Sequence, residues 1–161
     1  SQELYDWLDA EPQLFHPGDL DYIHSVERIG QLSNVISING GVQLDLMGQE
    51  NAESAGMRQL SGVGGQMDFL EGAFRSKGGK GFICINSSRI TKDGERRSNI
   101  LPTIPGGSTI SAPRTMIDYV ATEYGVVSLM GKSLRERAEA MASIAHPDFR
   151  EELLQYAHDH F

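Results

Sequence analysis

Ser61-Gly62-Val63-Gly64-Gly65-Gln66-Met67-Asp68-Phe69 is the stretch on which the reading of this chain turns. Three glycines in four residues leave the backbone free to take positive φ and bare to whatever approaches it. Met67, Leu70 and Phe74 follow at helical spacing, which predicts that the loop empties into a helix N-terminus. Such a junction offers unpaired N–H groups and the positive end of a helix dipole. It suits a bound phosphate, or the oxyanion of an acyl-transfer intermediate. It also suits a tight strand-to-helix connection with no ligand at all.

Working outward, the period changes from helix to strand. Val35, Ile36 and Ile38 flank Ser37, Gly40-Gly41 follows, and Val42, Leu44 and Leu46 alternate with Gln43 and Asp45. This predicts two strands joined by a glycine turn. Upstream, Leu4, Tyr5, Trp7 and Leu8 form an apolar cluster closed off by Glu11-Pro12, and 25–32 reads as a short helix with Val26 and Ile29 inward. Downstream, Lys77-Gly78-Gly79-Lys80 is a turn into a strand over 81–86, and the polar segment 87–98 reads as a surface loop. Ile100-Leu101, Thr109-Ile110 and Tyr119-Val120-Ala121 are short strand candidates separated by prolines.

The C-terminal part is helical. Ser133-Leu134-Arg135-Glu136 has the form of a capping box, and Leu134, Ala138, Met141 and Ala145 lie along one stripe. His146-Pro147 ends that helix, and Asp148 with Glu151 opens another carrying Phe149, Leu153 and Tyr156 inward. Strands alternating with helices predict a layered α/β domain, and 161 residues suffice for one domain with a sizeable core.

Composition narrows the chemistry. A net charge of −8, spread along the chain, argues against sequence-independent binding to nucleic acid, which needs a basic face. No apolar run approaches the length needed to span a bilayer, and no basic segment followed by an apolar stretch opens the chain. A lone Cys84 and the lack of a Cys/His cluster fit a reducing, cytoplasmic setting and no metal site. Cys84, within Phe82-Ile83-Cys84-Ile85, reads as a small buried hydrophobe.

None of the five histidines falls at metal-ligand spacing; His146 is either a base or a backbone hydrogen-bond partner at a helix junction. Ser87-Ser88 lacks the flanking glycines of a nucleophile elbow and reads as turn chemistry. Glu123, in Thr122-Glu123-Tyr124-Gly125, follows a strand, and ligands in open α/β sheets gather at strand carboxyl ends. It is a solvated turn carboxylate, a site acid or an orienting group. Lys77, Lys80 and Lys92 are the loop lysines available to a polyanion.

Taken in order, several segments resemble the C-terminal part of the acetyl-CoA hydrolase/transferase family, which includes 4-hydroxybutyrate and acetate CoA-transferases. They are Leu4-Tyr5-Asp6-Trp7-Leu8-Asp9, Val35-Ile36-Ser37-Ile38-Asn39, Val42 to Gln49, Asn51-Ala52-Glu53-Ser54 and the glycine loop. Ser76 to Lys80, Val120 to Gly125, Gly131-Lys132-Ser133, Arg135 to Ala138 and Ile144 to Arg150 continue the match over nearly the whole chain. The resemblance implies an open layered α/β/α sheet of the CoA-transferase type, of which residues 1–161 would be the C-terminal half.

It also implies covalent catalysis. A glutamate attacks an acyl-CoA thioester, giving an acyl-glutamyl anhydride and then a glutamyl-CoA thioester. Gly64 and Gly65 would supply an oxyanion donor, with Gly62, Val63, Gln66, Asn51 and Lys92 toward coenzyme A or the substrate and Glu123 lining the acyl or carboxylate pocket. The nucleophile is expected upstream of the segment at Leu4, so the chain alone should be inactive. Implied partners are an acyl-CoA, a small carboxylate, the N-terminal half of the same enzyme and further copies in a homo-oligomer. A thioesterase-like acetyl-CoA hydrolase and a non-catalytic partner-packing module are the alternatives. The chain departs from the pattern at Asn99 and Met130, where the family often has arginine.

Overall fold

The structure, a computed structural model, describes residues 1–161. Helix α1 (Gln2–Ala10), a 3-10 turn at Pro12–Leu14, α2 (Leu20–Ile23) and α3 (Val26–Gln31) precede the first strand, β1 (Ile36–Gly40). Short strands follow: β2 (Gln43–Asp45), β3 (Glu50–Asn51), β4 (Ser54–Ala55) and β5 (Arg58–Gln59). Then come α4 (Gln66–Arg75), β6 (Lys80–Cys84), β7 (Ser88–Ile90), β8 (Arg96–Ser98) and β9 (Ile100–Leu101). The chain ends with β10 (Tyr119–Thr122), β11 (Gly125–Ser128), α5 (Leu134–Ser143) and α6 (Pro147–His160).

The mixed α/β reading holds. The main sheet runs β1-β6-β10-β11, with β1, β6 and β10 parallel and β11 folded back antiparallel on β10. A second sheet, β3-β2-β9, and the hairpins β4–β5 and β7–β8 complete the strands. Leu44, Leu46, Leu70, Ile83, Ile100, Val120, Leu129 and Met141 join the sheets and the later helices in one buried cluster.

Alternation on the main sheet sends Ile83 and Val120 inward, under α4 and α5. The other face carries Ile36, Ile38, Phe82, Tyr119 and Val126, adjacent by register. No helix of the chain covers it: Ile36 is 51% exposed, Ile38 68% and Val126 57%.

Several expectations need correction. Gly40-Gly41 does not close a hairpin, because β1 and β2 belong to different sheets. The Gly41 amide donates to Cys84 O at 3.2 Å and the Val42 amide to Asn51 O at 2.9 Å, so the chain changes partners at the glycine pair. A glycine turn between two alternating runs looks the same locally whether the second run folds back or leaves for another sheet. The segment 87–98 is a hairpin rather than a plain loop, and Thr109-Ile110 joins no strand. Helix α1 buries none of its residues; Trp7 packs edge-on to Phe15, centroids 4.8 Å apart. Cys84 is half-buried, and Leu134 lies exposed at the start of α5 while Ala138, Met141 and Ala145 are buried.

The helical punctuation follows the residues. Ser133 and Glu136 form both arms of the capping box, and His146 caps α6 by accepting from the Asp148 amide at 3.3 Å. Buried Arg137 donates to three carbonyls, Met47 at 2.7 Å, Leu129 at 2.8 Å and Arg114 at 2.8 Å, tying α5 to the turn after β2.

Candidate functional site

The three parallel strands β1, β6 and β10 end together, with Gly40 opposite Cys84 and Cys84 opposite Ala121. Beyond these ends an open cleft of about 420 Å³ is lined by Gly41, Cys84, Ile85, Asn86, Ala121 and Thr122. This is where an open α/β sheet presents its ligand site. Two carboxylates flank it in quite different states.

Glu123 sits in the turn between β10 and β11, exposed, and accepts from the Ser87 amide at 2.9 Å and the Ser87 hydroxyl at 2.5 Å. Burial pushes its carboxyl up, but the two Ser87 hydrogen bonds outweigh this and hold it below the usual range, with His146 adding a smaller pull. It is therefore an oriented anion at neutral pH.

Glu50, on β3, is fully buried. Its Oε2 accepts from the Gln66 side-chain amide, and its Oε1 has no hydrogen-bond partner. A Cβ on Gly41 would lie 2.7 Å from that Oε1 and 2.9 Å from Ile85, so only glycine fits between the cleft and the buried carboxyl. Burial drives the Glu50 carboxyl up to about 7; the Gln66 bond draws it down and Glu53 raises it further.

Gln66 is the first residue of α4, so the Glu50 contact reaches the root of the glycine loop. Gly64 has φ +61°, with open space where a side chain would be, and Gly65 is the N-cap. The amides of Gly64, Gly65, Gln66 and Met67 donate to no protein group. These are the orphan donors of a helix start. The His24 ring fills the space beside Gly65, packs edge-on to Phe69 with centroids 5.0 Å apart, and lies 3.6 Å from the Asp68 carboxylate. At 3.6 Å that pair is too long for a hydrogen bond, which leaves His24 Nδ1 buried without one. At the loop's other end, Glu53 O accepts from the amides of Leu60 at 2.7 Å and Ser61 at 3.2 Å.

The family described as Acetyl-CoA hydrolase/transferase C-terminal domain matches residues 1–157. The chain belongs to this family. Butyryl-CoA:acetate CoA-transferase of Anaerostipes caccae is 43% identical over 157 residues, taking in 98% of this chain and 35% of the relative. The 4-hydroxybutyrate coenzyme A transferase of Clostridium kluyveri is 46% identical over 154 residues, 96% of this chain and 35% of the relative. The crystal structure of 4-hydroxybutyrate CoA-transferase from Porphyromonas gingivalis superposes with a TM-score of 0.79 at 40% identity, covering 100% of this chain and 35% of that one. The chain thus spans about a third of the length of the curated relatives it matches.

Within this member of the family, the residues singled out from sequence separate into groups. Gly62, Val63 and Gly64 form the exposed crest of the loop, and Gly65 and Gln66 its root. The Gln66 amide group turns inward to Glu50 rather than outward. Asn51 is buried, and its side chain closes the 51–54 turn: Oδ1 accepts from the amides of Glu53 and Ser54, and Nδ2 donates to Ser54 O at 2.7 Å. Lys92 is exposed at the tip of the β7–β8 hairpin, and no hydrogen bond links it to the loop or the cleft. Lys80 starts β6 and Lys77 precedes it, at the opposite end of the sheet from the cleft. Sequence reading missed Glu50, His24 and Gly41 as parts of this region, and took Ser87 for turn chemistry where it is the holder of Glu123. Nothing adjacent to Glu50 in sequence announced its burial, and its partner Gln66 lies 16 residues away.

Proposed function

We propose that this chain is the C-terminal part of a CoA-transferase, and that its glycine loop serves acyl transfer. In this reading a glutamate outside residues 1–161 attacks the thioester carbonyl of an acyl-CoA and expels the CoA thiolate, leaving an acyl-glutamyl anhydride. The thiolate then attacks the glutamyl carbonyl and expels the acyl carboxylate, which gives a glutamyl-CoA thioester. An acceptor carboxylate reverses the sequence and departs with CoA. Each attack places negative charge on a carbonyl oxygen, and the amides of Gly64 and Gly65 receive it. Gly62 and Val63 border the acyl-CoA, and Glu123 lines the acyl or carboxylate pocket as a fixed anion.

The observation that carries this reading is the unoccupied set of amide donors at 64–67, at the N-terminus of α4 and tied to the flank of the cleft. Oxyanion stabilisation needs fixed donors that no protein group already uses. The family match and the transferase relatives support the reaction class.

The test uses the complete polypeptide that carries this chain, assayed with several acyl-CoA donors with and without acetate. CoA transfer to the acceptor, with a CoA adduct on a glutamate detected by mass spectrometry, is expected. Gly64→Ala, strained at φ +61°, should displace the donor and lower kcat by about 10²-fold. Acceptor-independent release of free acid at the full rate would instead favour the hydrolase, in which water resolves the same intermediate. An unchanged kcat in Gly64→Ala would remove the loop from the mechanism.

A further inference from the structure

Glu50 takes no part in the chemistry above, yet it is a fully buried carboxyl with one oxygen unpartnered. Burying a carboxylate on a single hydrogen bond is unfavourable, and an apolar side chain would fill the same volume with less penalty. What it touches gives a reason for its presence. One oxygen holds Gln66 at the start of α4; the other lies against the bare Cα of Gly41, which lines the cleft.

The post itself is stiff. The Glu50 amide donates to Ala112 O at 3.0 Å and its carbonyl accepts from the Ser111 amide at 2.8 Å, locking β3 to the 111–112 segment. The crest of the loop it serves has no such backbone ties. Neither Gly62 nor Gly64 has any group where a side chain would stand. The crest is bracketed by two anchors, the Glu53 carbonyl at its entry and the Gln66 side chain at its exit.

We propose that Glu50 is a positioning residue for the glycine loop: its carboxyl holds the Gln66 side chain and so fixes the amides of Gly64 and Gly65 beside the cleft. This deepens the CoA-transferase reading and rests on it for its effect on rate. Glu53 is the ionisable group whose charge acts on Glu50, while Gly41, Ile85 and Ala112 beside it bring no charge and Gln66 a neutral amide. A charged acceptor holds an N–H roughly twice as strongly as a neutral one. Losing a proton from Glu50 therefore tightens the tether, and gaining one slackens it.

The experiment compares Glu50→Gln, Glu50→Val, Gln66→Ala and the Glu50→Val/Gln66→Ala double variant in the complete polypeptide. Glu50→Val and Gln66→Ala should each lower kcat about tenfold with KM for the acyl-CoA within about twofold, as expected when only transition-state positioning is lost. The double variant should be no slower than either single one. Wild-type kcat should rise as pH climbs through about 7, and Glu50→Gln, which keeps the volume and one acceptor, should flatten that rise. Additive losses, or a Glu50→Gln enzyme with wild-type kcat and pH profile, would overturn the proposal. Hydrogen exchange separates this from a failure of the transferase reading. Even in a protein without transferase activity, Glu50→Val should speed exchange of the Phe69 amide, which is bonded to Gly65 O at the start of α4, about tenfold and leave α5 unchanged. Equal protection in both proteins would sink the tether whatever reaction the enzyme performs.

Discussion

At the residue scale, Glu50 makes stability depend on pH in the direction opposite to most carboxylates. Its ordinary value of 4.5 rises to about 7 in the fold, so between those values the native state binds more protons than the unfolded chain. Unfolding free energy then falls as pH rises through that window, by about 3 kcal/mol in all. Glu50→Gln removes this loss. The Tm difference between Glu50→Gln and wild type should grow in favour of the variant from pH 5 to pH 8, by several degrees at about 2–4 °C per kcal/mol; thermal melts at both pH values check it. A constant difference would mean that Glu50 titrates normally in the fold. The glycines at 62, 64 and 65 were legible because their type alone implies bare backbone. Glu50, Ser87 and His24 were not, because burial and partnership come from residues distant along the chain: Glu50 from Gln66, and Glu123 from Ser87, 36 positions away.

At the element scale, the helix caps were legible, while the local hairpin at 87–98 was read as a loop. The box at Ser133 and Glu136 and the His146-Pro147 junction define α5 and α6, since capping needs only neighbours in sequence. Ser133→Ala should lower stability by about 1 kcal/mol, seen as a matching loss in urea midpoint with an unchanged m-value. A change in m would point to a wider disruption. Strand partnership escaped the sequence. The alternation at 35–46 marked β1 and β2, but pairing is settled by the match of β1 to β6 and of β2 to β9. Arg137 escaped for the same reason: on a helix it looks like surface charge, and only the three carbonyls facing it explain its burial.

At the scale of the whole molecule, the domain class and its place in a longer enzyme family were legible because many short segments matched in order. The chain holds a cleft, a loop of open donors and an oriented carboxylate, on about a third of its relatives' length. Residues 1–161 expressed alone should therefore show no CoA transfer, and any turnover would put the nucleophile inside them.

The uncovered side of the main sheet has a practical consequence for anyone preparing that fragment. Water meets Ile36, Ile38 and Val126 directly, on a sheet whose first strand is also an unpaired edge. Light scattering should report clumping that steepens with protein concentration, a hydrophobic dye should brighten, and Ile38→Lys should suppress both. A fragment that stays monodisperse and dark to the dye would show that these side chains find shelter within the fragment itself.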